Sequence, residues 1–278
     1  MTELVVRRLL VDLETPVARR WNGGDAFRSA FFNALSFSFP AGEQFFIDSV
    51  RRGQAVAPAA LRERLDAELQ GFIGQEATHR RIHQRFNAHL QAQGLVNHWE
   101  PRIRARQRRI EHADARVWLG LTAATEHFTA FLADHLLAFE GPLAGAEARL
   151  RDLWLWHASE ESEHRCTAFD LYRALGGDER WRRRLYWVVT LHFTTDLARQ
   201  TLNNLWRDGS WWRPSTWVSA WRLVAGRDGL LRRCFGAWRR YLQPDFHPAE
   251  ADASAGQRWL QAHADLAPAV GAASSAPA

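Results

Sequence analysis

The chain has 278 residues, of which 46% are apolar, and a net charge of +5. This length and composition suit one large domain or two small ones with a sizeable core. Acidic and basic residues are interspersed along most of the chain, which argues against a nucleic-acid partner.

The N-terminal segment carries charges among its apolar residues, unlike a signal peptide, and no uncharged run reaches the roughly 18–20 residues that span a bilayer. The two Cys lack metal or redox spacing. We therefore expect a cytoplasmic protein in a reducing compartment.

Sparse Pro and Gly and a dominant helical periodicity predict an all-α protein. Residues 1–24 are expected to form an irregular lead-in with a short strand at Leu4–Leu13. Pro40 can open or kink a helix, because proline lacks the amide hydrogen that the helix needs. Helical segments are predicted at 26–38, from Pro40 onward, and at 61–93, 102–139 and 144–175.

Residues 178–248 differ from the rest of the chain, because Trp and Arg are interleaved through most of them. Helices are predicted here at 179–207, 215–225 and 228–242. One interpretation is an extension packed on the preceding helices, with Trp in the core and Arg in solvent. Another is an interfacial surface at the inner face of a membrane, since Trp and Arg both suit the headgroup zone. A third interpretation is that these helices form the interface of a homodimer. Residues 249–278 are expected to form a partly disordered tail.

The stretch from Trp154 to Asp170 carries His157, Glu161 and His164. On a helix these positions are i, i+4 and i+7, so the three side chains share one face. Two imidazoles and a carboxylate among aromatic residues are unusual on a solvated face. They are typical of a metal site.

A Glu followed three residues later by a His occurs twice, and each pair is preceded by a lone Glu in an apolar helix. The predicted ligands on four successive helices are Glu43, Glu76 with His79, Glu126, and Glu161 with His164. This order is typical of the di-iron and di-manganese carboxylate bundles. Four carboxylates neutralise two divalent ions, whereas buried acids and imidazoles without a metal are costly. We therefore predict a ferritin-like four-helix bundle with a dinuclear metal site over residues 25–177.

Several neighbouring residues have open assignments. His157 is either a third imidazole ligand or a hydrogen-bond partner that orients a ligating carboxylate. His83 is expected to be such a partner or a surface residue. Glu160 and Glu163 lie at roughly 100° steps from the ligand stripe and are expected to face elsewhere. His127 is predicted to point away from the site, as a hydrogen-bonded His of the bundle.

The segments that carry these ligands resemble a bacterial family described as predicted metal-dependent hydrolases. They are FPAGEQFFIDSVR, FIGQEATHRRIHQRFN, LTAATEHFTAFLADH and WHASEESEHRCTAFDLY, and PDFHP near the C-terminus also fits. The resemblance covers about residues 5–248. It implies metal-dependent chemistry.

The order of the ligands is also similar to that of the ferritin-like di-iron N-oxygenases that act on arylamines. In those enzymes the last ligand helix carries His-x3-Glu-x2-His, and the first His is an additional iron ligand. The resemblance implies that role for His157, with Glu43, Glu76, His79 and Glu126 among the other ligands. The Trp/Arg-rich segment has no counterpart there, so a shared substrate does not follow.

Three functions are compatible with these patterns. The first is a di-iron oxygenase or oxidoreductase that uses O2 on a small organic or lipid-like substrate. The second is a hydrolase in which two ions, iron, manganese or zinc, activate a bridging water. The third, a non-catalytic metal-binding or storage protein, is less favoured, because the ligands lie in apolar surroundings without an acidic entry track. A buried site of Glu with two or three His favours iron and O2 over hydrolysis.

Overall fold

The computed structural model describes residues 4–270, and helices dominate it, as predicted. The α-helices are α1 (Ala26–Val56), α2 (Ala59–Ala92), α3 (Trp99–Arg109), α4 (Ala115–Ala138), α5 (Ala148–His164), α6 (Thr167–Ala174), α7 (Glu179–Asp208), α8 (Pro214–Val224), α9 (Leu230–Arg240) and α10 (Ser254–Ala262). The described residues contain no β-strand. None of their helices is both long and apolar enough to cross a membrane.

Helices α1, α2, α4 and α5 form the four-helix bundle that carries the predicted ligands. The loop between α1 and α2 is only two residues long, so these helices run antiparallel and pack along much of their length. Helix α4 packs against both α1 and α5. Each of the four helices turns buried side chains toward the shared interior, which is where the predicted metal ligands lie.

Pro40 does not separate two helices, because α1 runs through it without interruption. Proline has no amide hydrogen, so the carbonyl of Ser36, four residues earlier, lacks its helical donor. The side chain of Asn87 on α2 supplies a replacement, with Nδ2 at 2.8 Å from Ser36 O. The sequence pattern predicted two separate helices here. The bond from Asn87 that compensates for Pro40 is a tertiary contact, so no local pattern shows it.

Two other predicted helices are divided in the structure. The predicted helix 102–139 is interrupted between α3 and α4, where Asp114 caps the N-terminus of α4 by accepting from Arg116 N. The predicted helix 144–175 is interrupted at Arg165 and Cys166, between α5 and α6. The interruption follows directly after His164, so the last predicted ligand closes α5.

The lead-in pairs with the described part of the tail instead of forming a strand. Arg8 N donates to Pro268 O at 2.9 Å and Val270 N donates to Val6 O at 2.8 Å. This pairing is one isolated bridge, so the strand predicted at Leu4–Leu13 is wrong. The tail is folded over residues 249–270, and α10 packs on α5. Residues 271–278, which belong to the same predicted tail, lie outside the described residues.

Helices α7, α8 and α9 pack on the bundle through α1 and α4. Their Trp side chains are mostly not in the core, so the first interpretation of this segment is wrong in that respect. Seven of them are 45–67% exposed: Trp181, Trp187, Trp206, Trp211, Trp212, Trp217 and Trp221.

Candidate metal centre

The seven predicted ligands meet in the interior of the bundle. Each is at most 3% exposed: Glu43, Glu76, His79, Glu126, His157, Glu161 and His164. Six of them fall in two neighbouring groups in which the ligand atoms lie within 4.8 Å of one another, with His83 as a further member of one group and Glu126 in neither. One group is Glu76, His79, Glu161 and His164, and the other is Glu43, His83 and His157.

Glu161 lies at the centre of the cluster. Its Oε1 is 2.8 Å from His157 Nε2, 3.6 Å from His79 Nδ1 and 3.9 Å from His164 Nε2. One carboxylate oxygen is therefore close to an imidazole from each of the two groups. This is the position that a carboxylate bridging two ions would occupy.

Glu126 joins the cluster through His164. His164 Nδ1 donates to Glu126 Oε2 at 2.9 Å, so Nε2 is the nitrogen that faces the rest of the cluster. That Nε2 lies 3.3 Å from Glu76 Oε1. The second oxygen of Glu126 has no hydrogen-bond partner among residues 4–270 and remains available to a cation.

The buried polar atoms without partners test whether the site fits metal ions. Within the described part of the chain, eight such atoms belong to the predicted ligands: both oxygens of Glu43 and of Glu76, Glu126 Oε1, Glu161 Oε2, His79 Nδ1 and His164 Nε2. Buried polar atoms without partners are rare, because each loses its hydration without compensation. A divalent cation accepts lone pairs from all of them, and a carboxylate and imidazole set suits iron, manganese or zinc. The residues therefore fit a dinuclear centre.

The electrostatics of the carboxylates lead to the same inference. Burial raises the pKa values of Glu43 and Glu76 well above the usual range, and nearby carboxylates raise them further. Burial also raises the pKa of Glu126 to about 7, although His164 opposes the shift. Without a cation, these groups would hold protons near neutral pH. Bound metal ions would take the place of those protons.

Glu160 is part of the site's support, contrary to the expectation that it faces elsewhere. It is fully buried, and its Oε2 accepts from His79 Nε2 at 2.9 Å. Arg7 of the lead-in contacts the other oxygen at 3.2 Å. When Glu160 is ionised, His79 carries its hydrogen on Nε2 and turns a bare Nδ1 toward Glu161, as a ligand would. Burial raises the pKa of Glu160 to about 8, while Arg7 opposes the shift.

A buried chain of hydrogen bonds fixes the tautomer of His83. The Ser36 carbonyl can only accept, so it orients the Asn87 amide with Nδ2 toward it. Asn87 Oδ1 then accepts the single hydroxyl hydrogen of Ser36 at 2.6 Å. Because that hydrogen is used, Ser36 Oγ accepts from His83 Nδ1, 2.8 Å away. Burial lowers the pKa of His83 well below its usual value, so the ring is neutral with its one hydrogen on Nδ1.

The same chain determines which nitrogen of His157 faces the cluster. The bare Nε2 of His83 accepts from His157 Nδ1 at 2.7 Å. A neutral His157 then has a bare Nε2, 2.8 Å from Glu161 Oε1 and 3.9 Å from Glu43 Oε1. At 2.8 Å the contact is satisfied either by a hydrogen on Nε2 that His157 donates to Glu161 or by a metal ion held between the two atoms. The ligand role and the orienting role of His157 both agree with this geometry, and His83 is a buried hydrogen-bond partner of His157.

Two cavities reach the cluster from different sides. The larger, about 310 Å³, begins at Glu43 and Glu161 and runs between α3 and α7 through mostly apolar walls. The smaller, about 60 Å³, contacts His157 and Glu161. Phe39, Thr129 and Phe193 line both cavities and separate them. The cluster therefore has apolar space on both sides of Glu161.

Two further expectations concern residues outside the cluster. His127 points away from it, with Nε2 at 2.9 Å from Ala237 O, as predicted. Glu163 also faces elsewhere and accepts from Arg7 and from Gln75. Ser36, Asn87 and Arg7 were missed by the sequence analysis, although Ser36 lies seven residues before Glu43 and therefore on the same stripe of α1. Proline at position 40 was a second signal, since it leaves a carbonyl that requires a donor.

The four helices and their buried Glu/His cluster define an all-α metalloprotein with a carboxylate-rich site. The sequence agrees with this class, because a family model described as "Predicted metal-dependent hydrolase" matches residues 5–252. The chain belongs to that family. No curated protein and no solved structure matches the chain.

Proposed function

We propose that the protein is a di-iron, O2-dependent oxidoreductase that acts on a small organic or lipid-like substrate. The observation that supports this most is the location of the cluster. Four carboxylates and three imidazoles are buried beside a largely apolar cavity of about 310 Å³. A site of this kind excludes bulk water and accepts an apolar substrate.

The chain's own residues would hold and orient the centre. Glu43, Glu126 and His157 are the proposed ligands that complement the two Glu-x-x-His pairs, and we propose Glu161 as the ligand at the centre of the cluster. Glu160 and His83 hold His79 and His157 in the tautomers that ligation needs. When bound, the iron pair would supply the reduction of O2 and the oxidation of the substrate.

A two-metal hydrolase is the second candidate, and the family description favours it. Two ions in the same ligands would activate a water and polarise a carbonyl or phosphoryl group. Hydrolysis also needs polar contacts to the substrate and access for water. The larger cavity has mostly apolar walls, which supports the first candidate over the second.

Metal analysis and reactivity test these proposals in sequence. Protein from iron-supplemented expression should contain about two ions per chain by elemental analysis, and one ion or none would contradict a dinuclear centre. The reduced iron protein should develop a transient charge-transfer absorption on mixing with O2. Absence of that absorption, together with ester or phosphoester cleavage by the zinc or manganese form, would establish the hydrolase instead.

A further inference from the structure

The exposed side of α7, α8 and α9 is unlike the rest of the surface, and we refer to it as the Trp/Arg face. It comprises the exposed residues between Glu179 and Arg240. We propose that this face binds an anionic lipid bilayer. The proposal rests on the arrangement of its aromatic side chains, on its charge and on the cavity that opens beside it.

Along α7 the exposed apolar residues follow one stripe. Trp181, Val188, Leu191, Leu202 and Trp206 recur at helical spacing and are 43–64% exposed. A helix of 30 residues is about 45 Å long, so this stripe is an extended edge. Large exposed apolar patches are uncommon on proteins without a partner.

The apolar surface continues from α7 onto both neighbouring helices. The ring of Trp206 lies 5.2 Å from that of Trp211, before α8. The ring of Trp187 on α7 lies 5.2 Å from that of Trp238 on α9. One aromatic pair therefore joins the end of α7 to the loop before α8, and a separate pair joins α7 to α9. Trp side chains of this kind suit the headgroup level of a bilayer, where the ring is partly buried and the indole N–H stays hydrated.

The charge of this segment has the sign that anionic lipids require. From Glu179 to Arg240 the chain contains thirteen Arg and four acidic residues, a net charge of +9, so the remaining residues together carry −4. Eight exposed Arg have no ion-pair partner among residues 4–270: Arg180, Arg184, Arg207, Arg213, Arg222, Arg227, Arg232 and Arg239. Arginine beside an anionic membrane surface contributes about 1 kcal/mol each to binding.

A second copy of the chain is a poorer partner for the same face. In a two-fold symmetric dimer the face would meet itself, because such interfaces use the same patch on both subunits. Two surfaces of +9 would then be brought together, and the unpaired Arg would lose hydration without gaining acids. Phospholipid headgroups provide the missing negative charge.

The larger cavity connects this face to the metal centre. Its outer end is lined by Val188, which is 43% exposed on the α7 stripe, and by Arg106 and Arg109 of α3. An amphiphile from the bilayer could place its acidic head near these Arg and its apolar chain toward Glu43. This route rests on the function proposed above, whereas binding of the face to lipid does not.

Vesicle sedimentation tests the docking with the metal-loaded full chain. The protein should sediment with vesicles that contain phosphatidylglycerol, less with phosphatidylcholine alone, and less as salt is added. The double variant Arg213→Glu/Arg222→Glu should weaken binding about 30-fold or more. Arg62→Glu/Arg64→Glu on the exposed side of α2, which makes the same change in charge, should bind within about twofold of the wild type.

A second pair of variants tests the aromatic contribution. Trp212→Ser/Trp221→Ser should weaken binding and reduce quenching of Trp fluorescence by brominated lipid, with helicity and metal content unchanged. Val56→Ser, at an exposed apolar residue outside the face, is the control.

Failure of the wild type to sediment with anionic vesicles would overturn the proposal, as would unchanged binding by the Arg variant. A dimer in ultracentrifugation that the Trp variants abolish would replace lipid by a second copy. Metal and O2 measurements made without lipid are independent of these results.

Discussion

Trp occurs in two opposite environments in this protein. Five Trp are buried in or against the bundle, each at most 5% exposed: Trp21, Trp99, Trp118, Trp154 and Trp156. Seven Trp on α7, α8 and the loop between them are at least 45% exposed. The buried group includes Trp156, whose ring meets that of His79 edge-on at 4.9 Å, and Trp154, whose ring lies 5.3 Å from that of His83.

The difference shows that one residue type serves two purposes here. Of the buried Trp side chains, Trp154 and Trp156 pack against the imidazoles of the cluster and exclude water from them. The exposed ones contribute little to the core, and their clustering with unpaired Arg gives the surface its proposed partner. Substitutions in the two groups should therefore affect different measurements.

The largest effect is expected inside the bundle, from removal of a ligand. Glu126→Ala should lose bound metal while keeping its helicity, because a carboxylate oxygen and the hydrogen bond to His164 both disappear. Elemental analysis and circular dichroism measure the two properties. Asp152→Ala, on α5 but outside the cluster, is the control and should retain metal. Full occupancy in Glu126→Ala would remove this residue from the ligand set.

The next effect compares the two Trp groups directly. Trp156→Ala should lower the free energy of unfolding by about 3–5 kcal/mol, because it leaves a cavity at a fully buried position. Trp212→Ala, at a position that is 65% exposed, should change it by less than about 0.5 kcal/mol. Denaturant unfolding of the metal-loaded proteins measures both. Similar losses in the two variants would contradict the division into core and surface Trp.

A smaller effect is expected from the residues that orient the imidazoles. Ser36→Ala interrupts the chain that ends at His157, and Glu160→Ala removes the acceptor of His79. Each should weaken metal affinity or activity about 10–100-fold without abolishing the centre. Metal titration of the purified apo-proteins measures the affinity. Wild-type affinity in both variants would show that the ligands are positioned without these bonds.

The smallest effect concerns pH and the metal-free protein. Glu126 has a folded-state pKa of about 7, above the ordinary 4.5, because burial outweighs the effect of His164. His164 has a pKa of about 9, above the ordinary 6.5, because Glu126 and Glu161 outweigh its burial. His164 holds more protons folded than unfolded from about pH 6.5 to 9, and Glu126 does so only up to about pH 7. The stability of the apo-protein should therefore fall as pH rises from 6.5 to 9, with His164 responsible for the fall above about pH 7.

The slope should be at most about 1.4 kcal/mol per pH unit for each proton. Neutral His79 and His83 add little in this range, since burial lowers their pKa values and above pH 6.5 they are mostly neutral in both states. Denaturant unfolding at several pH values measures the trend, and the metal-loaded protein should show a flatter profile. A rise in apo-protein stability over the same range would contradict these assignments.

Much of the fold and of the candidate metal site could be predicted from the helical pattern and from the spacing of the Glu and His residues. Helical periodicity predicted the all-α class, because the 3.6-residue repeat of apolar side chains is a local property. The Glu-x-x-His spacing placed Glu76 and His79 on one face of α2 for the same reason. The break between α3 and α4 was missed although Asp114 is a local N-cap signal. The break between α5 and α6 has no such signal, because Cys166 at the start of α6 makes no capping hydrogen bond with its side chain.

The sequence by itself determined which residues could act as ligands, since their spacing along each helix is local. Only the tertiary structure decided which nitrogen each imidazole offers. His79 depends on Glu160 and Arg7, and His157 depends on a chain that reaches Asn87 on another helix. The exposure of the Trp/Arg face was likewise decided in three dimensions, because an interleaved Trp and Arg sequence suits a core or a surface equally. Hydrogen bonds and burial between distant segments are long-range properties, and no local pattern contains them.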